Sequence, residues 1–167
     1  SIESRGLEVV YKRQVLLNAA EDGGATASLN ADMLLNDSDL DGDTVSITQI
    51  DGTDLTGGVQ AIAVTNGTVN VDALDNITFT AAANYNGPVN FGYTLSDGTL
   101  TDTATVSGTI TAVNDAPVAV NDALLNTAED AGATASLNAS MLSNDTDLDG
   151  DTLSITQIAG TDLTGGV

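Results

Sequence analysis

The sequence contains no histidine, no cysteine and no tryptophan among its 167 residues. It therefore offers no imidazole base, no thiol nucleophile and no Cys/His zinc site. Aromatic residues make up only 3% of the chain, so the stacking surfaces on which glycan-binding proteins usually depend are scarce. No apolar run approaches the roughly 20 residues that a membrane-spanning helix requires. These absences exclude several classes of enzyme and metal site, and they argue against a lectin.

Positive charge is also scarce, because 3 Lys and Arg residues stand against 24 Asp and Glu residues, for a net charge of -21. Such a chain repels phosphate backbones and has no counterions to release from nucleic acid, so we expect no DNA or RNA partner. Anionic membrane surfaces are disfavoured for the same reason, and we expect no membrane insertion. The 41% of hydrophobic residues is still enough for a packed core.

The chain repeats itself with a period of 108 residues. Residues 18–59 and 126–167 align without a gap, with seven mismatches in 42 positions. Such a period indicates a tandem array, and we expect one repeat at 15–114 and the N-terminal half of a second copy at 115–167. Residues 1–14 hold all three basic residues and have no counterpart in the second copy. We interpret them as an unmatched, non-native leader, with a genuine preceding segment as the alternative.

Alternation of apolar and polar residues is the dominant local pattern and is typical of half-buried strands. It predicts strands near 25–30, 44–50, 59–64, 68–71, 76–80, 89–95 and 101–112. Asn66-Gly67 and Asp97-Gly98 are the best hairpin candidates, since these residue types tolerate positive φ. Seven short strands within about one hundred residues are typical of an immunoglobulin-like sandwich. A parallel β-helix is the competing fold, but its repeats are much shorter than this period.

Two aspartate ladders carry the chemical signal, each with a carboxylate at every second residue and a glycine before the last one. Four carboxylates so close together repel one another unless a cation lies among them, and hard oxygen ligands on a sharply turning loop suit calcium better than magnesium. A solvated loop that supplies only solubility is the alternative. The ladders are Asp37, Asp39, Asp41 and Asp43 in the first copy, and Asp145, Asp147, Asp149 and Asp151 in the second.

The ladder spacing matches the first half of an EF-hand loop. However, position 12 of that loop, where a bidentate Glu is required, is Thr48 in the first copy and Thr156 in the second. The flanking residues also alternate as strands do. We therefore predict a calcium loop on a β scaffold instead of an EF-hand.

Further acidic residues lie near the expected start of each repeat and at the junction between them. Pro117 fixes φ and biases the preceding residue toward extended geometry, so the junction is predicted to be a short rigid connector. Asp97 is expected to be a turn former only. The additional candidate ligands are Glu21 and Asp22, Glu129 and Asp130, and Asn114 and Asp115.

The chain resembles the bacterial cadherin-like, immunoglobulin-fold tandem repeats of giant RTX and VCBS-type adhesins. The resemblance lies in the strings AEDGGATASL, NDSDLDGDTVSITQI, NYNGPVNFGYTLSDG and TAVNDAPVAVND, in that order. It implies an all-β, Greek-key, immunoglobulin-like (cadherin-like) sandwich in a secreted protein anchored at the bacterial cell surface. It also implies that calcium near the junctions, with Asn114 and Asp115 in the linker, stiffens an array of many such repeats.

Three functions compete at this point. The leading hypothesis is a calcium-rigidified extender module that spaces the ligand-binding tip of an adhesin from the cell, in adhesion or biofilm attachment. Its partners would be neighbouring repeats of the same chain, with a host surface or polysaccharide bound by other domains. The alternative is a module that itself binds glycans or surfaces through calcium. Catalysis by paired carboxylates is the least favoured, and we expect no enzyme activity.

Overall fold

The computed structural model describes residues 14–15, 19–35, 37–123, 129–130 and 137–163. The chain divides into two compact units, 1–113 and 114–167. The predicted limits of leader, repeat and partial second copy stay predictions. Among the described residues, no helix is long and apolar enough to cross a membrane.

The larger sheet of the first unit contains β1 (Gln14–Val15), β2 (Ala19–Ala20), β3 (Ser46–Ile50), β4 (Thr53–Asp54), β8 (Gly87–Ser96) and β9 (Thr101–Thr111). Its strand order is β1-β9-β8-β3-β4, and β2 also pairs with β9. β8 and β9 form a long antiparallel hairpin, whereas β1 and β2 run parallel to β9.

The smaller sheet contains three strands, β5 (Gln60–Val64), β6 (Gly67–Val71) and β7 (Ile77–Ala81). They form an antiparallel meander in the order β5-β6-β7. A short helix, α1 (Asn30–Leu34), precedes β3 and contributes the buried Met33.

The core lies between the inward faces of the two sheets, as the alternating pattern requires. The rings of Phe79 in β7 and Phe91 in β8 stack across it, with centroids 6.1 Å apart and planes 9° from parallel. The other buried hydrophobic residues are Leu29, Met33, Ile50, Ile62, Val69, Val71, Ile77, Val89, Tyr93, Ala104, Val106 and Ile110. The expected all-β sandwich is confirmed.

Six of the seven expected strands correspond to observed ones, and both hairpins form where the turn residues indicated. The strand expected at 25–30 is wrong, because this segment forms an isolated bridge between Ala25 and Thr80, not a continuous ladder, before α1 begins. The backbone N–H groups of Thr26 and Leu29 also donate to the carbonyls of Phe79 and Ile77 in β7, each at 2.8 Å. Side chains add to this pairing. Thr26 Oγ1 accepts the Phe79 N–H at 3.0 Å, and Asn30 Oδ1 accepts the Ile77 N–H at 2.7 Å.

The described part of the second unit repeats several local features of the first. It contains α2 (Asn138–Met141), β10 (Gln157–Ile158) and β11 (Thr161–Asp162). The turn between β10 and β11 has positive φ at Ala159 (51°) and Gly160 (76°), as Asp51 (44°) and Gly52 (77°) have between β3 and β4. The junction segment, residues 114–120, pairs with the second aspartate ladder through a bridge between Val118 and Thr146.

Candidate metal centre

The first aspartate ladder is a turn organised around one of its own carboxylates. Asp39 Oδ1 accepts the backbone N–H of Asp41 at 2.8 Å and that of Asp43 at 3.0 Å. Gly42 completes the turn with φ of 86°, a conformation that favours a residue without Cβ. The positive φ of Gly42 therefore explains why a glycine occupies this position of the ladder.

The same ladder is attached to the core through Asp37. The hydroxyl of Tyr93 donates to Asp37 Oδ2 at 2.8 Å and also lies 3.0 Å from the carbonyl oxygen of Met33. Tyr93 is 2% exposed and lies in β8. One end of the loop is therefore held by the interior of the sandwich.

The second ladder has the same turn at the equivalent positions. Asp147 Oδ1 accepts the backbone N–H groups of Asp149 and Asp151, each at 3.0 Å, and Gly150 has φ of 79°. Near-identical sequence thus gives the same local carboxylate arrangement in both units.

The junction segment lies against this second ladder, within the second unit. Asp149 Oδ2 accepts the backbone N–H of Asp115 at 2.6 Å, and Asp145 Oδ1 accepts that of Val120 at 2.8 Å. Between them, Val118 and Thr146 exchange backbone hydrogen bonds of 2.8 and 3.1 Å. Two of the predicted ligand groups, the junction and the ladder, are therefore brought together.

A cavity of about 370 Å³ lies between the junction segment and the second ladder. Its polar lining provides the hard oxygen donors that calcium prefers, and no Lys, Arg or His occurs in residues 15–167 to neutralise them. Among the described residues, no group of three or more carboxylates is close enough to hold a metal ion as it stands. The candidate ligands that line the cavity are Asn114, Asp115, Asp145, Asp147 and Asp151.

The remaining predicted ligands have other surroundings. Glu21 is 2% exposed, and its Oε1 accepts the backbone N–H of Val113 at 2.7 Å. The neighbouring Asp22 is exposed, has φ of 57° and accepts the N–H of Asn84 at 3.3 Å. Glu129 and Asp130 are exposed in a turn. Glu129 and Asp130 do not line the cavity of the second unit, and Glu21 and Asp22 belong to the first unit.

Each unit matches the model of a known protein family. The family model described as a bacterial Ig domain matches residues 10–109, and that of a cadherin-like domain matches residues 113–167. The chain belongs to the bacterial Ig domain family. A search of the curated proteins and a search of the solved structures found no match. Bacterial Ig and cadherin-like domains are typically extracellular, non-enzymatic surface modules, and cadherin-like domains usually bind calcium.

Two residues that hold the Ig domain together were not singled out from the sequence as functional. One is Tyr93, which alternation places in a strand without indicating its contact with Asp37. The other is Asp51, whose Oδ1 accepts the Gly92 N–H at 2.7 Å while its own N–H donates to the Gly92 carbonyl at 2.9 Å. Both contacts join residues far apart in sequence, so no local signal indicates them.

Two further carboxylates of the Ig domain have environments that lower their pKa values. The pKa of Asp72 lies below 3.8 because the Asn76 side chain and the backbone N–H groups of Asn76 and Leu74 donate to it. The pKa of Asp97 is lowered by the backbone N–H groups of Leu100 and Thr99. Asp97 is thus the turn former that the sequence indicated.

Proposed function

We propose that this chain is a calcium-rigidified extender module of a large bacterial adhesin, located outside the cell at its surface. In this role the tandem units space a ligand-binding tip from the cell. The partners of each unit are the neighbouring repeats of the same chain, and a host surface or polysaccharide is bound by other domains. The membership in the bacterial Ig domain family and the cadherin-like match of the second unit support this assignment.

The main support for the proposal is that the backbone of the junction segment is hydrogen-bonded to the second aspartate ladder. The backbone N–H groups of Asp115 and Val120 donate to Asp149 and Asp145, at 2.6 and 2.8 Å. A cation held by this loop would therefore restrain the chain at the point where one repeat follows another. Stiffness at a junction is what an extender requires.

The donor set fits calcium by its chemistry. Calcium accepts six to eight oxygen ligands in flexible geometry and tolerates carboxylates, amide oxygens and backbone carbonyls together. The cavity provides carboxylates from Asp115, Asp145, Asp147 and Asp151 and an amide from Asn114. Because no three carboxylates of the described residues are yet close enough to share an ion, the proposal includes a small closure of the loop on binding.

The stabilisation that bound calcium adds can be calculated from the linkage between binding and folding. At free calcium roughly 100 times the dissociation constant, one site adds about 2.7 kcal/mol to the free energy of unfolding. Domains are stable by about 5 to 15 kcal/mol, so occupancy would decide much of the stability of the module. The same ion would relieve the repulsion between carboxylates that no basic side chain offsets.

Calcium titration of the full chain by calorimetry tests the proposal. We expect saturable heat, and we expect the double variant Asp145→Asn with Asp147→Asn to lose the site in the second unit. The matched control is Asp75→Asn, which removes one exposed carboxylate outside both ladders at a residue with φ of 60°, where Asn is well tolerated. Absence of calcium-dependent heat in the unaltered chain, or equal loss in the control, would refute the assignment.

The alternative, a module that binds glycans through calcium, has less support. Among the described aromatic residues, Phe79, Phe91 and Tyr93 are buried, and Tyr85 is half-buried with its hydroxyl donating to the Pro88 carbonyl at 2.6 Å. The described surface thus offers no exposed ring on which a sugar can stack. Reproducible binding of the calcium-loaded chain to a glycan array would favour this alternative.

A further inference from the structure

A buried carboxylate and an Asn-Gly pair meet at one corner of the first unit. Glu21 follows β2, is 2% exposed, and donates its own N–H to the Thr111 carbonyl at 3.0 Å. Asn86 Nδ2 lies 3.3 Å from Glu21 Oε2 and 3.5 Å from Oε1. Asn86 itself is exposed and is followed by Gly87, the first residue of β8.

We propose that Asn86 is a site of spontaneous deamidation and that its conversion breaks this corner of the sandwich. The backbone nitrogen of Gly87 attacks Cγ of Asn86 and loses its proton, and ammonia leaves with that proton. The resulting succinimide is then opened by water at either carbonyl carbon, which gives aspartate or isoaspartate. No oxidant, reductant or enzyme is needed, and water is the only co-reactant.

Attack by the Gly87 nitrogen requires only the end of a ladder to open. Gly87 is the first residue of β8 and pairs with Ile110 of β9, and at this residue no described strand pairs with the other side of β8. Because strand ends fray at low cost, the Gly87 N–H can leave this terminal pair, and no Cβ shields the nitrogen. The contacts of the Asn86 amide with Glu21 are longer than the 2.7 to 3.2 Å of ordinary N–H···O hydrogen bonds, so they restrain the side chain weakly. The amide can therefore rotate toward the Gly87 nitrogen.

The other Asn-Gly pair of the chain, Asn66-Gly67, provides a built-in comparison. Gly67 begins the central strand β6 and is paired on both sides, with Val64 and Ala81. The carbonyl of Asn66 accepts the Ala82 N–H at 3.0 Å. Because the ladders on both sides fix the peptide unit that must rearrange, Asn66 should react much more slowly than Asn86.

Conversion of Asn86 changes the corner electrostatically. The product has no amide N–H to offer Glu21 and places a second carboxylate beside a buried one, and like charges this close repel strongly. Glu21 also holds the N–H of Val113, next to the end of β9. Deamidation should therefore loosen the attachment of β2 to the end of β9.

Peptide mapping by mass spectrometry, with isoaspartate detection, tests the site during incubation of the full chain in mildly alkaline buffer. Incubation in water enriched in oxygen-18 marks residues converted during the experiment. We expect Asn86 to be converted extensively before Asn66 changes measurably, and Asn86→Gln to abolish this early product. An unchanged Asn86, or an Asn66 that reacts as fast, would overturn the assignment.

A double-mutant cycle tests the consequence. Asn86→Asp should lower the midpoint of denaturant unfolding relative to Asn86→Gln, and much less so in a Glu21→Gln background, where the buried carboxylate is gone. An equal loss in both backgrounds would show that Glu21 is not involved and would overturn the proposed consequence. The oxygen-18 result stands by itself, even if one of these variants fails to fold.

Discussion

The Tyr93 hydroxyl donates to Asp37 Oδ2 at 2.8 Å, and this contact joins the interior of the sandwich to the first aspartate ladder. Tyr93 is buried, whereas Asp37 is half-buried and Asp41 and Asp43 are exposed. In the second unit, Asp145 at the equivalent position accepts the Val120 N–H instead. Each ladder is thus held at its first aspartate, by a side chain in one unit and by the junction backbone in the other.

Tyr93→Phe should weaken calcium binding in the first unit and lower stability in chelator. A hydrogen bond to a charged group is worth about 1.5 to 3 kcal/mol, and the first ladder would lose one of its attachments. Calorimetric calcium titration and urea unfolding measure the two effects. Tyr85→Phe, which removes a hydroxyl bonded to a backbone carbonyl away from the ladder, should leave calcium affinity unchanged.

Asp51→Ala should destabilise the Ig domain, whereas Asp51→Asn should be tolerated. Asp51 has φ of 44° and accepts the Gly92 N–H. Alanine loses the acceptor and strains the left-handed backbone by about 1 to 2 kcal/mol, while asparagine keeps both features. Thermal unfolding of the two variants should rank them in this order, and equal losses would contradict the account.

Gly67→Ala should destabilise the smaller sheet strongly. A Cβ at this position would overlap the Phe79 ring, with the Thr80 carbonyl oxygen only 2.5 Å away. Overpacking of this kind costs about 1 to 3 kcal/mol or more. Gly58→Ala is the matched control, since its Cβ would meet nothing within 4 Å, and urea unfolding of that variant should match the unaltered chain.

Acid should remove the stabilisation that Asp97 and Asp72 provide. Their pKa values are below 3.8 in the folded chain because N–H groups donate to them, so their stabilisation is present above the unfolded pKa. It is lost as pH falls through the lower, folded values. In chelator, Asp97→Asn should therefore flatten the fall of unfolding free energy below about pH 4.

The control for this acid effect is Asp75→Asn, which removes a carboxylate that accepts no hydrogen bond in the described structure. The unfolding free energy of Asp75→Asn should fall more steeply with acid than that of Asp97→Asn. An Asp97→Asn variant with the same acid dependence as the unaltered chain would contradict the interpretation.

The elements found from the sequence are those whose signal is local. Alternation identified β8 and β9 because one face of each is buried, and Asn66 and Gly98 marked turns because their backbones need positive φ (62° and 99°). β1 and β2 were missed. Each is only two residues long, and each pairs with a part of β9 that lies about ninety residues away in sequence.

The helix α1 was missed for a different reason. Leu29 and Met33 are spaced one helical turn apart and both are buried, but a helix of five residues is too short for its periodicity to stand out from the strand predicted at 25–30. Only the packing against β7 decides between the two. The ladder turns were predictable from Asp and Gly spacing, whereas the contact of the junction with the second ladder depends on tertiary structure.

Calcium bound at the aspartate ladders should stiffen and stabilise this chain. The most direct test is the free energy of unfolding of the full chain in saturating calcium and in chelator. We expect calcium to raise it by about 2.7 kcal/mol for each site filled at 100 times its dissociation constant. Equal stability in calcium and in chelator would contradict the account.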